Sequence, residues 1–109
     1  MSTYRPDTWV VLEISMKTDP DTRVHKVFGG WYGGFAEGDS WRLNSGITKV
    51  EKGEGFTWNF YGASGSVYEV HQDLYGMSIY QRQQLDSWIN NPKAAVDIRI
   101  LSFDEAVSL

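Results

Sequence analysis

Alternation of apolar and polar residues with a period of two constrains this chain more than any other feature. Trp9 to Met16 reads WVVLEISM, with Val10, Leu12, Ile14 and Met16 on one face and Glu13 and Ser15 on the other. Successive strand side chains point to opposite faces, so this is a half-buried strand. Arg23 to Tyr32 returns as a second strand carrying Val24, Val27, Phe28 and Trp31. Between them Thr18 to Thr22 is turn chemistry: Pro20 presets φ, and Asp19 and Asp21 can bond local amides. The pair predicts an antiparallel hairpin. Ile47 to Glu51 reads as a short strand. Phe56 to Tyr61 is a strand with Phe56, Trp58 and Phe60 on one face, and Ser66 to Val70 is another. Ala95 to Leu101 is the last, with Val96, Ile98 and Ile100 inward and Asp97 and Arg99 outward.

One segment breaks the period. Ser78 followed by Gln81 matches a capping box, in which a hydroxyl and an amide satisfy each other's backbone N–H groups. The helix it opens runs to Ile89, where Asn90-Asn91-Pro92 stops it. Leu85, Trp88 and Ile89 form its apolar stripe, and Tyr75, Met77, Ile79 and Tyr80 extend that face and its rim. Asp104 to Leu109 reads as a loosely held tail. The expectation is one domain, 1–109, of α+β class. It consists of a mainly antiparallel sheet or partly closed barrel of five or six strands, with one helix in the C-terminal half.

Charge and cysteine narrow the function. Fourteen acidic residues against ten basic ones leave a net charge of −4, the wrong sign for a protein that coats DNA or RNA through a basic face. There is no cysteine, hence no disulfide framework and no thiolate chemistry. Met1 to Asp7 lacks the apolar region of a signal peptide, and no apolar run approaches the roughly 20 residues that span a membrane. The expected location is the cytoplasm, with no membrane partner.

Three glycine-containing segments carry the binding hypothesis. In Gly29-Gly30-Trp31-Tyr32-Gly33-Gly34 two glycine pairs flank two aromatics. Either the glycines bend a strand whose aromatics are core and rim, or they let the backbone approach a ligand that Trp31 and Tyr32 stack on. Gly38 to Gly46 surrounds Trp41 with hydrogen-bonding groups. Trp41 would stack, Arg42 would hold a phosphate, and Asp39 and Asn44 would read a base edge or ribose; the alternative is a self-bonded turn. Tyr61 to Ser66 adds a corner where Ser64, Ser66 and local amides would form an anion nest, or simply a hairpin turn. Arg82, on the helix, would reach across toward the pocket or be solvated.

Catalytic signals are weaker. Glu69, His71 and Asp73 share a face if the strand continues, yet three such residues alone do not define a metal centre. His71 with Ser64 or Ser66 could assemble a hydrolytic site, but no nucleophile elbow is present. His25 reads as a surface or pairing residue. No catalytic residue, metal or cofactor is assigned.

Small size, acidity, absence of cysteine, five Trp and six Tyr, and the glycine–aromatic segments Trp31 to Gly46 and Tyr61 to Met77 make the chain resemble small orphan accessory proteins of tailed bacteriophages. That resemblance implies binding rather than catalysis, as inhibitors of host enzymes or sponges for nucleotide signals in the host cytoplasm. The leading expectation is a non-catalytic protein that sequesters a small nucleotide-like ligand. The alternatives are a protein–protein interaction module inhibiting a host enzyme, presenting Glu37, Asp39, Glu51 and Glu54 to a basic partner, or a small hydrolase using His71. A homo-oligomer is expected, because so many aromatics in a small chain predict an exposed apolar patch.

Overall fold

A computed structural model describes residues 2–33 and 38–109. The first hairpin forms as expected: β2 (Thr8–Met16) pairs antiparallel with β3 (Asp19–Trp31), Val10 opposite Phe28 and Leu12 opposite Lys26. Its turn is tighter than the sequence suggested. Only Lys17 and Thr18 lie between the strands, and Pro20 falls within the exposed start of β3, beside a register shift at Ser15 and Met16. An irregular, exposed strand end is where a residue without an N–H is tolerated.

β2 also differs from a half-buried strand in its first half. Trp9, Val10, Val11 and Leu12 are all buried. Trp9 and Val11 face a cluster with Val27, Phe60, Tyr68 and Val70, while Val10 and Leu12 face a second one with Phe28 and Leu85. A strand covered on both faces reads as a continuous apolar run, which is what WVVL is.

The two clusters define three layers. One sheet has the order β4-β3-β2-β8, with β4 at Ser40–Leu43 and β8 at Val96–Ile100. The other has the order β1-β7-β6-β5, with β1 at Thr3–Tyr4, β5 at Ile47–Lys52, β6 at Thr57–Gly62 and β7 at Val67–His71. Only the β1–β7 pairing is parallel among the described ladders. The class is α+β, mainly antiparallel, but the strands divide into two sheets of four rather than one of five or six. The sheets face each other across the Trp9 cluster, and the helix α1 (Ile79–Ile89) covers the outer face of the first sheet. Phe56, expected on the inner face of a strand, lies just before β6 and is exposed.

Helix α1 starts where its capping box placed it, with Ser78 accepting from the Gln81 N–H and Gln81 accepting from the Ser78 N–H. Its phase is set by that box. Gln81, Leu85 and Trp88 face the sheet, one turn apart, so Ile79 points outward and is 80% exposed. The predicted tail is also corrected. Phe103–Val107 is a second helix, α2, with its own capping box between Ser102 and Glu105. Leu101 and Ala106 are buried in the Trp9 cluster, and Phe103 stands edge-on to Trp9 with centroids 6.2 Å apart.

Candidate functional site

The crossing from one sheet to the other builds the site. β4 ends at Leu43, and Asn44 then continues its ladder by other means: the Asn44 N–H donates to the Val27 carbonyl at 3.0 Å, and the Asn44 Oδ1 accepts from the Val27 N–H at 2.9 Å. Gly46, at φ +133°, redirects the chain into β5 of the other sheet. Its carbonyl accepts from Ala63, which ties the crossing to the β6–β7 turn.

Between these segments lies a cavity of about 480 Å³. Its walls are Ser2 and Tyr4 of the N-terminal segment, Lys26 of β3, Arg42 to Ser45, and Ser64 to Ser66 with Tyr68. Four predicted site residues therefore converge: Arg42, Asn44, Ser64 and Ser66. The segments around 38–46 and 61–66 do meet in space.

The lining is cationic and hydroxylic. Lys26 and Arg42 are present, and no carboxylate is. Neither cation forms an ion pair with a described residue; the Arg42 guanidinium lies 4.6 Å from the Tyr4 ring centroid. Tyr4 in turn packs on Tyr68 with centroids 5.0 Å apart. Burial pushes the Tyr68 hydroxyl up to about 12, against the opposing pull of Arg42, so it stays a neutral donor near neutral pH. The serine hydroxyls form a chain, Ser45 to Ser64 at 3.1 Å and Ser64 to Ser66 at 3.1 Å.

Most of the amides of the nest expected at 62–66 are committed within the protein. Ala63 N–H is given to Gly46, Ser64 N–H to the Ser45 hydroxyl, and Gly65 N–H to Gly62. Hydroxyls and cations line this wall instead. Gly62 is required by proximity: a Cβ there would lie 2.9 Å from Ser45 Oγ and 3.4 Å from Asn44 Nδ2. Asn44 is only 3% exposed, its Oδ1 is committed to Val27, and its Nδ2 has no partner among the described residues.

The other predicted residues are placed differently. Alternation along β4 turns Arg42 and Trp41 to opposite faces. The Trp41 ring stands edge-on to Trp88 at 5.0 Å and Phe28 at 5.9 Å, packed on the cluster under α1, and the residue borders a second cavity together with Trp31. Trp31 is half-buried, donates from its indole to the Arg5 carbonyl at 3.1 Å, and borders that second cavity, of about 280 Å³. That cavity shares Tyr4 and Arg42 with the first. Tyr32 is exposed, and its N–H donates to Asp7 at 2.8 Å. Asp39 accepts from the Gly33 N–H at 3.3 Å and is absent from the lining of both cavities. Arg82 is exposed on α1, which covers the sheet face turned away from the main cavity. Gly34 and Glu37 lie outside the described residues.

The residues that sequence reasoning missed are Ser2, Tyr4, Lys26, Ser45 and Tyr68. β1 has two residues and no readable period, and only its parallel pairing with β7 brings Tyr4 to the cavity. His71 lies elsewhere. Its Nδ1 accepts from the Asp73 N–H at 3.1 Å and caps the 3₁₀ turn Gln72–Leu74. It lies five residues along the strand from Ser66, a span of about 16 Å, so the two cannot act as a hydrogen-bonded pair. Glu69 pairs with Arg5 at 2.9 Å, and no group of three or more metal-ligating side chains occurs among the described residues. His25 pairs with Glu13 at 3.0 Å, as a pairing residue should. No helix among the described residues is long and apolar enough to cross a membrane.

Compared with family models, with curated proteins and with solved structures, the chain matches none.

Proposed function

We propose that this protein binds and sequesters a small, anionic, nucleotide-like ligand in the cavity between Arg42–Ser45 and Ser64–Ser66. One observation carries the reading: in a chain of net charge −4, the residues bordering this cavity include Arg42 and Lys26 and no carboxylate. Fields of one sign in a cleft concentrate ligands of the other sign. The volume, about 480 Å³, is that of a small-molecule site. The adjoining cavity, reached past Tyr4 and Arg42, offers Trp31 to a ring system. Such a sponge fits the resemblance to phage accessory proteins.

The test is a thermal-shift screen against nucleotides, including cyclic and ADP-ribose-type molecules. A ligand at about a hundred times its dissociation constant should stabilise the fold by roughly 2 to 3 kcal/mol. Arg42→Ala should abolish the shift, and Arg82→Ala, outside the cavity, should leave it intact. No shift with any nucleotide, or an equal shift in Arg42→Ala, overturns the proposal.

A further inference from the structure

β8 is the outer strand of its sheet among the described residues, paired with β2 alone. The Lys17 N–H donates to the Ala95 carbonyl and the Leu101 N–H to the Val11 carbonyl, both at 3.0 Å, so the odd-numbered residues of this strand turn their polar groups toward β2. In an antiparallel ladder the residues between them point theirs away. Val96, Ile98 and Ile100 therefore present N–H and C=O groups outward, a template on which another strand adds. The other described edges are guarded. β1 has two residues, β4 has four, and β5 carries Lys49 and Lys52 with a register shift between Ile47 and Lys49. β8 has five residues, without Lys, Pro or a bulge.

We propose that a second copy of this chain adds to this edge, β8 against β8 antiparallel, about a two-fold axis through Ile98. The strand Val96–Ile100 is self-complementary when reversed on itself. Ile98 then faces its own equivalent, Val96 faces Ile100, and Asp97 faces Arg99 on both sides of the axis. The outward residues exchange their backbone hydrogen bonds in this register. A slip of two residues keeps that hydrogen-bond parity but sets Asp97 against Asp97 or Arg99 against Arg99, and like charges directly opposite are destabilising. Asp97 is exposed and takes no part in the ion pairs that Arg99 makes with Glu13 and Glu105; the Arg99 side chain keeps 53% of its surface exposed. The other face of the strand is apolar. Val96 and Ile98 border a groove of about 240 Å³ with Ile14, Trp88 and Ala94. Ile98 stands on the axis, so the two grooves adjoin and each apolar face continues into the other. An isologous contact of this kind closes at two chains and consumes both β8 edges. It lies apart from Arg42 and does not depend on the nucleotide-like site.

The experiment is sedimentation velocity in an Ile79→Glu background, which removes association through the exposed face of α1 and leaves the β8 edge untouched. The expected species is two chains, and a single chain at every concentration overturns the proposal. Adding Asp97→Lys places a second cation opposite Arg99 twice in the pair and should weaken it by about tenfold or more. An undiminished pair in a folded Asp97→Lys protein overturns the register. Amide hydrogen exchange on the Ile79→Glu protein decides the matter even where Asp97→Lys fails to fold. Exchange at Val96, Ile98 and Ile100 should slow as protein concentration rises, while the β4 and β5 edges stay unchanged. Exchange at β8 independent of concentration overturns the pairing and leaves that edge to a strand of another protein.

Discussion

Gly30 shows how a residue that looks like a ligand device can serve packing. A Cβ at Gly30 would stand 2.4 to 2.8 Å from the Gln81 side chain. Gln81 cannot move aside, because its Oε1 accepts from Ser78 at 2.9 Å and from the Thr8 hydroxyl, and its Nε2 donates to the Phe28 carbonyl at 3.1 Å. A fully buried amide is tolerable only with such partners. Gly30→Ala should therefore destabilise the fold by about 1 to 3 kcal/mol. In urea unfolding the loss should be smaller when Gln81→Ala is also present, because the clash is then removed. Additive losses in the double variant would refute the close approach. Gln81 was legible as a cap from its spacing to Ser78. Its burial against Gly30, 51 positions away, was not, since nothing local links them.

Among the elements, α2 is held by charge as well as by its apolar face. Arg99 on β8 pairs with Glu105 of α2 at 3.0 Å and with Glu13 of β2 at 3.4 Å. The His25 hydrogen bond, followed by Arg99, holds the Glu13 carboxyl below its ordinary range, opposed by burial. Glu105 is lowered too, first by the Ser102 N–H and then by Arg99. For a carboxyl depressed in the folded state, the unfolded chain binds more protons on acidification, so stability rises with pH through that window. This contribution is present above the ordinary glutamate value of about 4.3 and is lost as pH falls through the lower folded value. Glu13→Gln should consequently be less stable than the parent at neutral pH, with the gap closing in acid. A gap independent of pH would show that the Glu13 carboxylate does not stabilise the fold through His25 and Arg99. The helix itself was within reach of the sequence: Ser102-Phe103-Asp104-Glu105 repeats the spacing of Ser78 and Gln81. Its nearness to the chain end concealed it.

For the molecule as a whole, the aromatics are mostly spent on the two clusters. Tyr32, Phe56 and Tyr80 are the exposed ones among the described residues, and Ile79 is the most exposed large apolar side chain there. Self-association therefore stands as a proposal with these residues as its surface. Sedimentation velocity should show a species heavier than one chain that Ile79→Glu dissociates. A single-chain species at every concentration would refute it. The candidate site belongs to this scale as well. Arg42, Asn44, Ser64 and Ser66 were visible as polar groups beside glycines, whereas Trp41 borders the adjoining cavity instead and Arg82 lines neither. Adjacent strand residues point to opposite faces, and the helix lies on the far side of the first sheet.

The sequence by itself determined the strand periods, the hairpin, the start of α1 and the acidic balance, because these depend on neighbours within a few residues; it did not fix the phase of α1, whose Ile79 and Ile89 are exposed. It also determined that Gly46 and Gly62 sit beside polar side chains. Tertiary structure alone decided that the strands divide into two sheets and that both faces of β2 are covered. It also decided that Tyr4 and Lys26 complete a cavity with Asn44. Each of those outcomes rests on pairings between distant segments, such as Thr3 with Val67 and Val27 with Asn44. Their free energy comes from burying surfaces that no local window of sequence contains.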